Sequence, residues 1–503
     1  MTDSYQTITL IVLVGFMLGL IYLVYKSRTT SDSIEVYAVG NKSFSSISVA
    51  LSLAASITSA ATFIINPGFI ALYGFSAFLA FGIVMPMAIY VALIIFIKRF
   101  RRYGMDVKSI SIADWVGKRY NSQFLKVFFG LLSALLITFI VLICVGMTKV
   151  ISKALTADEL LVLVLIVVVV FTYMTIGGAN TMVYTNSLQA VLMIIVAILL
   201  LGSGADLLFK SGEESLTAQL ASIDPALTGM FNPESPLFRD FFEVVVCNTI
   251  VGIAIVCQPH ILTKSLLIKK DSQVNKFLLY TVLILILFFS VVFVGAYARV
   301  SFPDLLFNGS PLKMDGIVSA YVVHRFPVYI GIVVILGLLA AGLSTLEGLV
   351  QSIPTTITND FIMPIAKKVQ WEVSPMKVNK FLTFMVAIFA ILLSYDQLIN
   401  PSLSVGIFAQ NGVYAFFSAA FVPVFFGIFT KSQNRLIPII ASIVAILTHF
   451  GVYYLELTPY MEGMSVKNPA VASALALLLS TATGIIIYII KPMNKKHLEY
   501  ANT

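Results

Sequence analysis

Long apolar runs dominate this sequence and restrict what it can fold into. A helix needs about 20 mostly apolar residues to cross a bilayer, and the chain contains thirteen runs near that length. Outer-membrane strands need only about ten residues of alternating polarity, so the runs predict helices. We therefore predict an all-α integral membrane protein with about thirteen transmembrane spans. They cover approximately 7–25, 47–73, 76–98, 127–149, 157–177, 182–204, 239–259, 277–299, 327–355, 381–399, 402–429, 435–455 and 469–490.

The composition excludes several classes of protein. The chain is 59% hydrophobic and 11% charged, whereas soluble domains carry roughly 25% charged residues. Its three cysteines all fall within apolar runs and form neither a disulfide framework nor a metal-ligand spacing. The four histidines are scattered and no catalytic constellation stands out, so we do not expect an enzyme. The net charge of +8 lies mostly in loops on one side of the membrane, which argues against a nucleic-acid partner.

Lysine and arginine set the predicted orientation. Of 32 such residues, 24 lie in loops that would share one side of the membrane with the C-terminal tail, and 8 lie on the other side. Positive loops stay in the cytoplasm. We expect a multi-pass protein of the cell (plasma or inner) membrane, with its N-terminus outside and its C-terminus in the cytoplasm. The first run lacks a basic leader and a small-residue cleavage site, so we expect it to be retained.

A polar stripe occurs late in the ninth run. Residues three and four apart share one face of a helix, so Ala341, Ser344, Thr345 and Gly348 form one small, oxygen-bearing stripe. Oxygen ligands suit a hard cation, and the absence of a carboxylate among them favours a singly charged ion. The alternative is that both hydroxyls bond back to carbonyls of their own helix.

Two runs are poor material for continuous helices. The second holds five hydroxyl residues within 52–62 and then Pro67-Gly68, and the seventh holds Gln258-Pro259. Interruptions at membrane depth are tolerated where they line a cavity. Broken helices at matching positions of two halves are typical of transporters built from inverted repeats.

These interruptions suggest how one transmembrane domain, residues 1–503, is organised. The first repeat would be spans 2–6 and the second repeat spans 7–11. The predicted segments are a first helix and loop at 1–46, the first repeat at 47–204, the second repeat at 239–429, two extra helices at 435–490 and a cytoplasmic tail at 491–503.

At this point the chain resembles the sodium:solute symporter family over nearly its whole length. The resemblance implies a leucine-transporter-like fold with two inverted five-helix repeats, and sodium-coupled symport as the activity. The motifs that carry it are Glu35-Val36-Tyr37-Ala38-Val39-Gly40-Asn41, Ser59-Ala60-Ala61-Thr62-Phe63-Ile64 with Pro67-Gly68, Ile110-Ser111-Ile112-Ala113-Asp114 with Arg119-Tyr120, Ile176-Gly177-Gly178 with Thr185-Asn186 and Gln189, Gln258-Pro259-His260, and Ala340-Ala341 through Ser344-Thr345 with Asn359-Asp360.

The resemblance also implies a sodium site between the break in span 2 and span 9. Its ligands would be the carbonyls of Ala55, Thr58 and Ala341 and the hydroxyls of Ser344 and Thr345. A sodium ion is the one cofactor that we expect.

Substrate would lie beside the ion, near the midplane, in contact with spans 2, 3, 7 and 11. Buried Ser, Thr and Asn also join membrane helices together, so a packing role is the alternative for each residue. The broken helices offer no basic clamp, but a half-helix N-terminus could receive a carboxylate unaided. We therefore favour a small carboxylate-bearing solute such as proline, pantothenate or acetate. The predicted contacts are Ser59, Thr62, Asn66, Gln258, Gln410 and Asn411.

Two residues are predicted on the ion's exit path. Asn186 stands where the family usually has Asp, and Glu347 follows Ser344 by three residues. An ionisable residue at membrane depth is costly and commonly functional. We expect Glu347 to be the main acidic attraction on this path. The alternative is a side chain that reaches the cytoplasmic interface or a loop lysine.

Together these features favour sodium-driven uptake of a small polar organic solute by alternating access. The expected partners are the solute, sodium and the lipid bilayer, with no obligate protein partner evident. A transporter-like sensor is the first alternative, although no output domain follows span 13. A sodium-independent uniporter or channel of the same fold is the second.

Overall fold

The computed structural model describes residues 2–27, 33–40, 44–106, 108–268, 270–400 and 404–490. Asn41 of the first motif and the predicted tail at 491–503 lie outside these ranges. The described chain is nearly all helical, with one small antiparallel hairpin of β1 (Leu306–Phe307) and β2 (Ser310–Pro311).

The first half of the chain is helical and ends in an irregular loop that leads to residue 241. Short π-helical segments occur at Ala61–Ile65 and Leu79–Val84, and 3₁₀ turns at Ser133–Leu136, Gly212–Glu214 and Pro225–Thr228. The α-helices are α1 (Thr2–Ser27), α2 (Ile34–Val39), α3 (Ser46–Ile57), α4 (Asn66–Phe78), α5 (Met85–Asp106), α6 (Ile112–Arg119), α7 (Gln123–Leu132), α8 (Ile137–Leu155), α9 (Glu159–Gly202), α10 (Asp206–Phe209) and α11 (Leu216–Ile223).

The second half begins with a π-helical segment at Phe242–Cys247, and a further one lies at Ile357–Ile362. Its 3₁₀ turns are Thr263–Leu267, Asp271–Gln273, Val291–Phe293 and Met314–Gly316. The α-helices are α12 (Asn248–Ile255), α13 (Pro259–Leu262), α14 (Val274–Ser290), α15 (Val294–Ser301), α16 (Ile317–Arg325), α17 (Val328–Thr356), α18 (Met363–Lys368), α19 (Pro375–Ile399), α20 (Val405–Phe429), α21 (Leu436–Tyr454) and α22 (Pro469–Ile490).

Ten described helical segments are long and apolar enough to cross a membrane, or eleven when a bent pair counts as one span. Two of them, 61–103 and 159–202, contain 43 and 44 residues. At 1.5 Å per residue, each is about twice as long as a bilayer core is thick. Each holds two predicted spans or parts of them. The thirteen crossings therefore stay a prediction.

Each of these long segments leaves the helical path at a glycine. Gly74 has φ 64° and Gly178 has φ 74°, and residues other than glycine rarely adopt such values. Space is also short at both positions. A Cβ on Gly178 would lie 2.9 Å from the ring of Tyr37, and one on Gly74 would meet the backbone of Leu227. Both sites therefore need glycine for conformation and for close approach.

The break in the second span differs in position from the sequence pattern. The local pattern pointed to Pro67-Gly68 and the resemblance to Ala55 and Thr58; the chain leaves the helix after α3, where Thr58 has extended backbone angles of φ −97° and ψ 97°. Pro67 lies in the first turn of α4, where its missing N–H costs little. The π-helical segment Ala61–Ile65 leads directly into α4.

The seventh span is broken where the sequence predicted. Its two parts, Phe242–Ile255 and Pro259–Leu267, meet at an angle of 59°. Gln258 between them has extended backbone angles, and Pro259 begins the second part. The first part is tied down at its start, where Arg239 donates to Glu243 at 2.9 and 2.6 Å. That hydrogen bond raises the pKa of Arg239 above its ordinary value.

The helix that carries the polar stripe lies at the centre of the molecule. From Val334 to Thr356, nearly every residue of α17 is buried. It packs against α3, α8, α9 and α19. This position brings the stripe against the broken end of α3.

Candidate functional site

Two hydroxyls of α17 meet the end of α3. Ser344 Oγ donates to the carbonyl oxygen of Ala55 at 2.8 Å, and Thr345 Oγ1 donates to that of Ser56 at 3.2 Å. The last carbonyls of a helix have no intrahelical N–H partner and carry the negative end of the helix dipole. The end of α3 supplies carbonyl oxygens and α17 supplies hydroxyl oxygens, so neutral oxygens of both kinds meet in one small region.

Four of the five residues predicted to bind sodium lie together in this region. Ala55, Ala341, Ser344 and Thr345 are connected by hydrogen bonds, because Ser344 Oγ also lies 3.0 Å from the carbonyl of Ala341. Ser344 thus makes both the contact across to α3 and the bond within its own helix. Thr58 is the first residue of the break, and its hydroxyl donates to the carbonyl of Ala54 at 2.7 Å. All these groups are buried. Neutral oxygen donors of this kind fit a hard, singly charged cation.

A cavity of about 80 Å³ opens beside the two helix breaks. Among the described residues, no carboxylate, lysine or arginine lines it. Both broken spans and α20 contribute polar side chains to its wall. Five of the six residues predicted to contact substrate are among them, together with His260. The polar lining residues are Ser59, Thr62, Asn66, Gln258, His260 and Gln410.

Some polar atoms at this cavity lack a partner within the described chain. They are Oε1 of Gln258 and both ring nitrogens of His260, all buried. Buried polar groups are nearly always hydrogen-bonded, to protein or to water. These atoms are therefore the places where a bound molecule or water would complete the hydrogen bonding.

Asn411 does not line the cavity, which contradicts its predicted contact with substrate. Its Nδ2 donates to the hydroxyl of Tyr454 at 3.0 Å, and its Oδ1 lies 3.0 Å from Nε2 of His449. Successive residues of a helix point about 100° apart, so Gln410 reaches the cavity while Asn411 faces α21. Asn411 joins two helices, which is the packing alternative stated above.

Glu347 is enclosed within the protein. Its carboxylate accepts from Tyr173 Oη at 2.7 Å, from Gln189 Nε2 at 2.8 Å and from Thr185 Oγ1. Its side chain is 0% exposed, so the alternative of an interfacial glutamate is wrong. Asn186 lies nearby and donates to Ser56 Oγ at 3.0 Å.

Lys264 is a site residue that the sequence analysis missed. It was counted among the cytoplasmic loop residues because the seventh span was ended at 259. The helical path in fact continues to Leu267 after the break, and Lys264 is 1% exposed. Its Nζ donates to the carbonyl of Ser52 at 2.7 Å, to Ser52 Oγ at 2.9 Å and to Ser56 Oγ. Its apolar neighbours in Ile261-Leu262 and Leu266-Leu267 were the available signal.

A second charged cluster joins two of the sequence motifs. Lys126 Nζ lies 2.9 Å from Asp114 Oδ1 and 3.3 Å from Asp360 Oδ1, and Ser111 donates to Asp360. Asp114 and Ser111 belong to the motif at 110–114, and Asp360 follows α17. The cluster therefore links α6 and α7 to the end of the central helix.

The model of the sodium:solute symporter family matches residues 37–444. A sodium/pantothenate symporter of Haemophilus influenzae is 25% identical over 419 residues, which cover 81% of this chain and 82% of that protein. A sodium/pantothenate symporter of Escherichia coli is 24% identical over 482 residues, which cover 93% and 94%.

A solved structure shares the fold. It is a substrate-bound, outward-open state of a Na⁺-coupled sialic acid symporter, similar with a TM-score of 0.76 and 18% identity over 96% of this chain and 98% of that one. At this identity the likeness concerns the fold alone. It confirms the predicted class, an all-helical membrane protein with the fold of the leucine transporter.

Proposed function

Because the chain belongs to the sodium:solute symporter family, we propose that the oxygen cluster between α3 and α17 binds the sodium ion that drives its transport. The protein is a multi-pass membrane transporter and not an enzyme, and it performs sodium-coupled symport of a small solute. The observation that carries the proposed site is the contact of Ser344 and Thr345 with the carbonyls of Ala55 and Ser56. The predicted ligands Thr58 and Ala341 complete it.

The geometry gives sodium a way to act on solute binding. The ion would hold the end of α3 against α17 by replacing two hydrogen bonds between them with coordination by the same oxygens. The residues just after this helix end, Ser59 and Thr62, line the solute cavity. Ordering the break would therefore position solute contacts. Coupling arises because each ligand binds one conformation better than the other.

The solute that we propose is a small carboxylate-bearing compound, with pantothenate as the first choice over proline and acetate. Two curated relatives are sodium/pantothenate symporters. His260 has one ring N–H that can donate to a carboxylate, and Gln258 Oε1 can accept from an amide or hydroxyl of the solute. The other proposed contacts are Ser59, Thr62, Asn66 and Gln410.

We further propose uptake across the cell membrane, with the N-terminus outside and the C-terminus in the cytoplasm. The asymmetry of lysine and arginine supports this orientation. In that orientation, Glu347 and Asn186 lie on the cytoplasmic side of Ser344 and Ser56. They would then adjoin the route by which sodium leaves.

The test is uptake into proteoliposomes that contain the purified protein. Radiolabelled pantothenate should accumulate under an inward sodium gradient and not under a matched potassium gradient, and excess proline and acetate show whether they compete. Gln258→Leu should raise the KM for the solute about tenfold, the expected effect of losing a buried hydrogen bond. Gln219→Leu, on the exposed face of α11, is the matched control. Uptake that is equal in sodium and potassium would mean a uniporter or channel.

A further inference from the structure

Lys264 places a positive charge inside the membrane-spanning part of the protein. A buried ammonium is tolerated only when hydrogen bonds and nearby charges compensate it. All of its hydrogen-bond partners are neutral oxygens, supplied by Ser52 and Ser56. These oxygens form a small cation-binding position in α3, and the ammonium is its resident cation.

This position adjoins the proposed sodium site. Ser56 Oγ, which accepts from Lys264, donates to the carbonyl of Ser344 at 3.3 Å. The carbonyl of the same Ser56 accepts from Thr345. One residue therefore touches the ammonium with its side chain and the proposed sodium ligands with its backbone.

A compensating charge also acts on Lys264. Glu347 and Lys264 interact electrostatically without a direct ion pair among the described residues. Asn186 fills part of the space, because its Nδ2 donates to both Ser52 Oγ and Ser56 Oγ, at 3.4 and 3.0 Å. Since no short ion pair cancels the two charges, each can act on a third charge nearby.

We propose that Lys264 is a tethered cation that occupies the exit side of the sodium site and sets its affinity for sodium. The ammonium repels an ion held by Ser344 and Thr345, and Glu347 attracts it. Lys264 is a positioning residue that keeps the bound ion ready to leave. This inference rests on the proposed sodium site.

The electrostatic role fixes the signs of two substitutions. Lys264→Gln removes the repulsion and should lower the sodium concentration for half-saturation about tenfold. Glu347→Gln removes the attraction and should raise it about tenfold. Unit charges about 12 Å apart already change affinity about tenfold at an effective dielectric constant of about 20, and closer charges change it more. A purely structural contact would instead weaken sodium binding in both variants.

The experiment is binding of radioactive sodium to purified protein in detergent. The double variant Lys264→Gln/Glu347→Gln should return to within about threefold of the wild type, and Lys264→Arg, which keeps the charge, should differ little. Unchanged or weaker sodium binding in Lys264→Gln would overturn the proposal. Where Lys264→Gln does not fold, Lys264→Met decides, because unchanged or weaker sodium binding in that variant contradicts the proposal equally.

A parallel variant separates this inference from the site on which it rests. Ser344→Ala/Thr345→Ala should abolish sodium binding. If it does so while the Lys264 and Glu347 variants bind like the wild type, only the role of Lys264 fails. If it binds sodium normally, the proposed sodium site fails as well.

Discussion

Lys126 and Lys264 are both held within the protein, but their partners are of different kinds. Lys126 lies between two carboxylates, Asp114 and Asp360, at 2.9 and 3.3 Å, and its side chain is 20% exposed. Lys264 is almost fully buried and bonds only to neutral oxygens. Glu347 interacts electrostatically with Lys264, but the two side chains form no direct ion pair among the described residues.

This difference separates a structural charge from one that can take part in transport. Close ion pairs cancel most of each other's field, so the cluster around Lys126 fixes α6 and α7 to the end of α17. An ammonium with neutral partners keeps its field and is released by breaking hydrogen bonds alone. The cluster around Lys264 is therefore suited to respond when another cation arrives.

The largest expected effect on stability is that of Lys126→Met. It leaves the buried Asp360 without its cation and Asp114 with Lys118 alone, and the partial exposure of the Lys126 side chain limits the loss to about 2 kcal/mol of unfolding free energy. Denaturant titration in detergent measures the loss, and sodium half-saturation should stay within about twofold. Lys118→Met is the control, since Lys118 pairs with Asp114 at 2.7 Å but is 41% exposed and should cost less than about 1 kcal/mol. Equal losses of unfolding free energy in Lys126→Met and Lys118→Met would contradict the structural role given to Lys126.

Asn186→Asp should make the second cluster resemble the first. The new carboxylate would lie beside Ser52 and Ser56 and could pair directly with Lys264. A held ammonium should slow turnover about tenfold, a difference of roughly 1.4 kcal/mol in barrier, with little change in the KM for solute. Asn186→Gln, which adds no charge and forms no ion pair with Lys264, should slow turnover much less. Slow turnover in both variants would point to a local distortion instead.

The smallest effect is expected from Tyr173→Phe. It removes one of three donors to Glu347 and should cost about 1 kcal/mol of unfolding free energy. A less compensated carboxylate should also tighten sodium binding about twofold. Tyr37→Phe is the control, because that hydroxyl donates to the neutral carbonyl of Met174 at 3.0 Å and should leave sodium binding unchanged. A similar shift in both variants would argue against an electrostatic cause.

Helical periodicity was enough to predict one side of the site. Spacings of three and four placed Ala341, Ser344 and Thr345 on one face, and the structure keeps them there because α17 is a single helix over this stretch. The break in the second span was predicted, and the resemblance placed it near Ala55 and Thr58, whereas the local pattern did not. Local sequence favoured Pro67-Gly68, whereas the hydroxyls of α17 satisfy the carbonyls of a helix that ends at Ile57.

The rest of the site depends on contacts between distant segments. The donors to Glu347 come from α9, more than 150 residues away, and no local pattern indicates them. Ending the seventh span at Pro259 places Lys264 in a loop, whereas the helical path resumes at this proline and continues to Leu267. Asn411 and Gln410 are adjacent in sequence, and only the packing of α21 decides which of them reaches the cavity.

The central claim is that Ser344 and Thr345 hold the driving ion. Its most direct test is equilibrium binding of radioactive sodium to the purified wild type, to Ser344→Ala/Thr345→Ala and to Thr355→Ala. Thr355 is the matched control because its buried hydroxyl, on the same helix, donates only within α17, to the carbonyl of Gln351 at 2.6 Å. We predict saturable binding in the wild type and in Thr355→Ala, and none in the double variant over a hundredfold range of sodium, since two lost ligands cost roughly 3 kcal/mol. Normal sodium binding by a folded double variant would contradict the account.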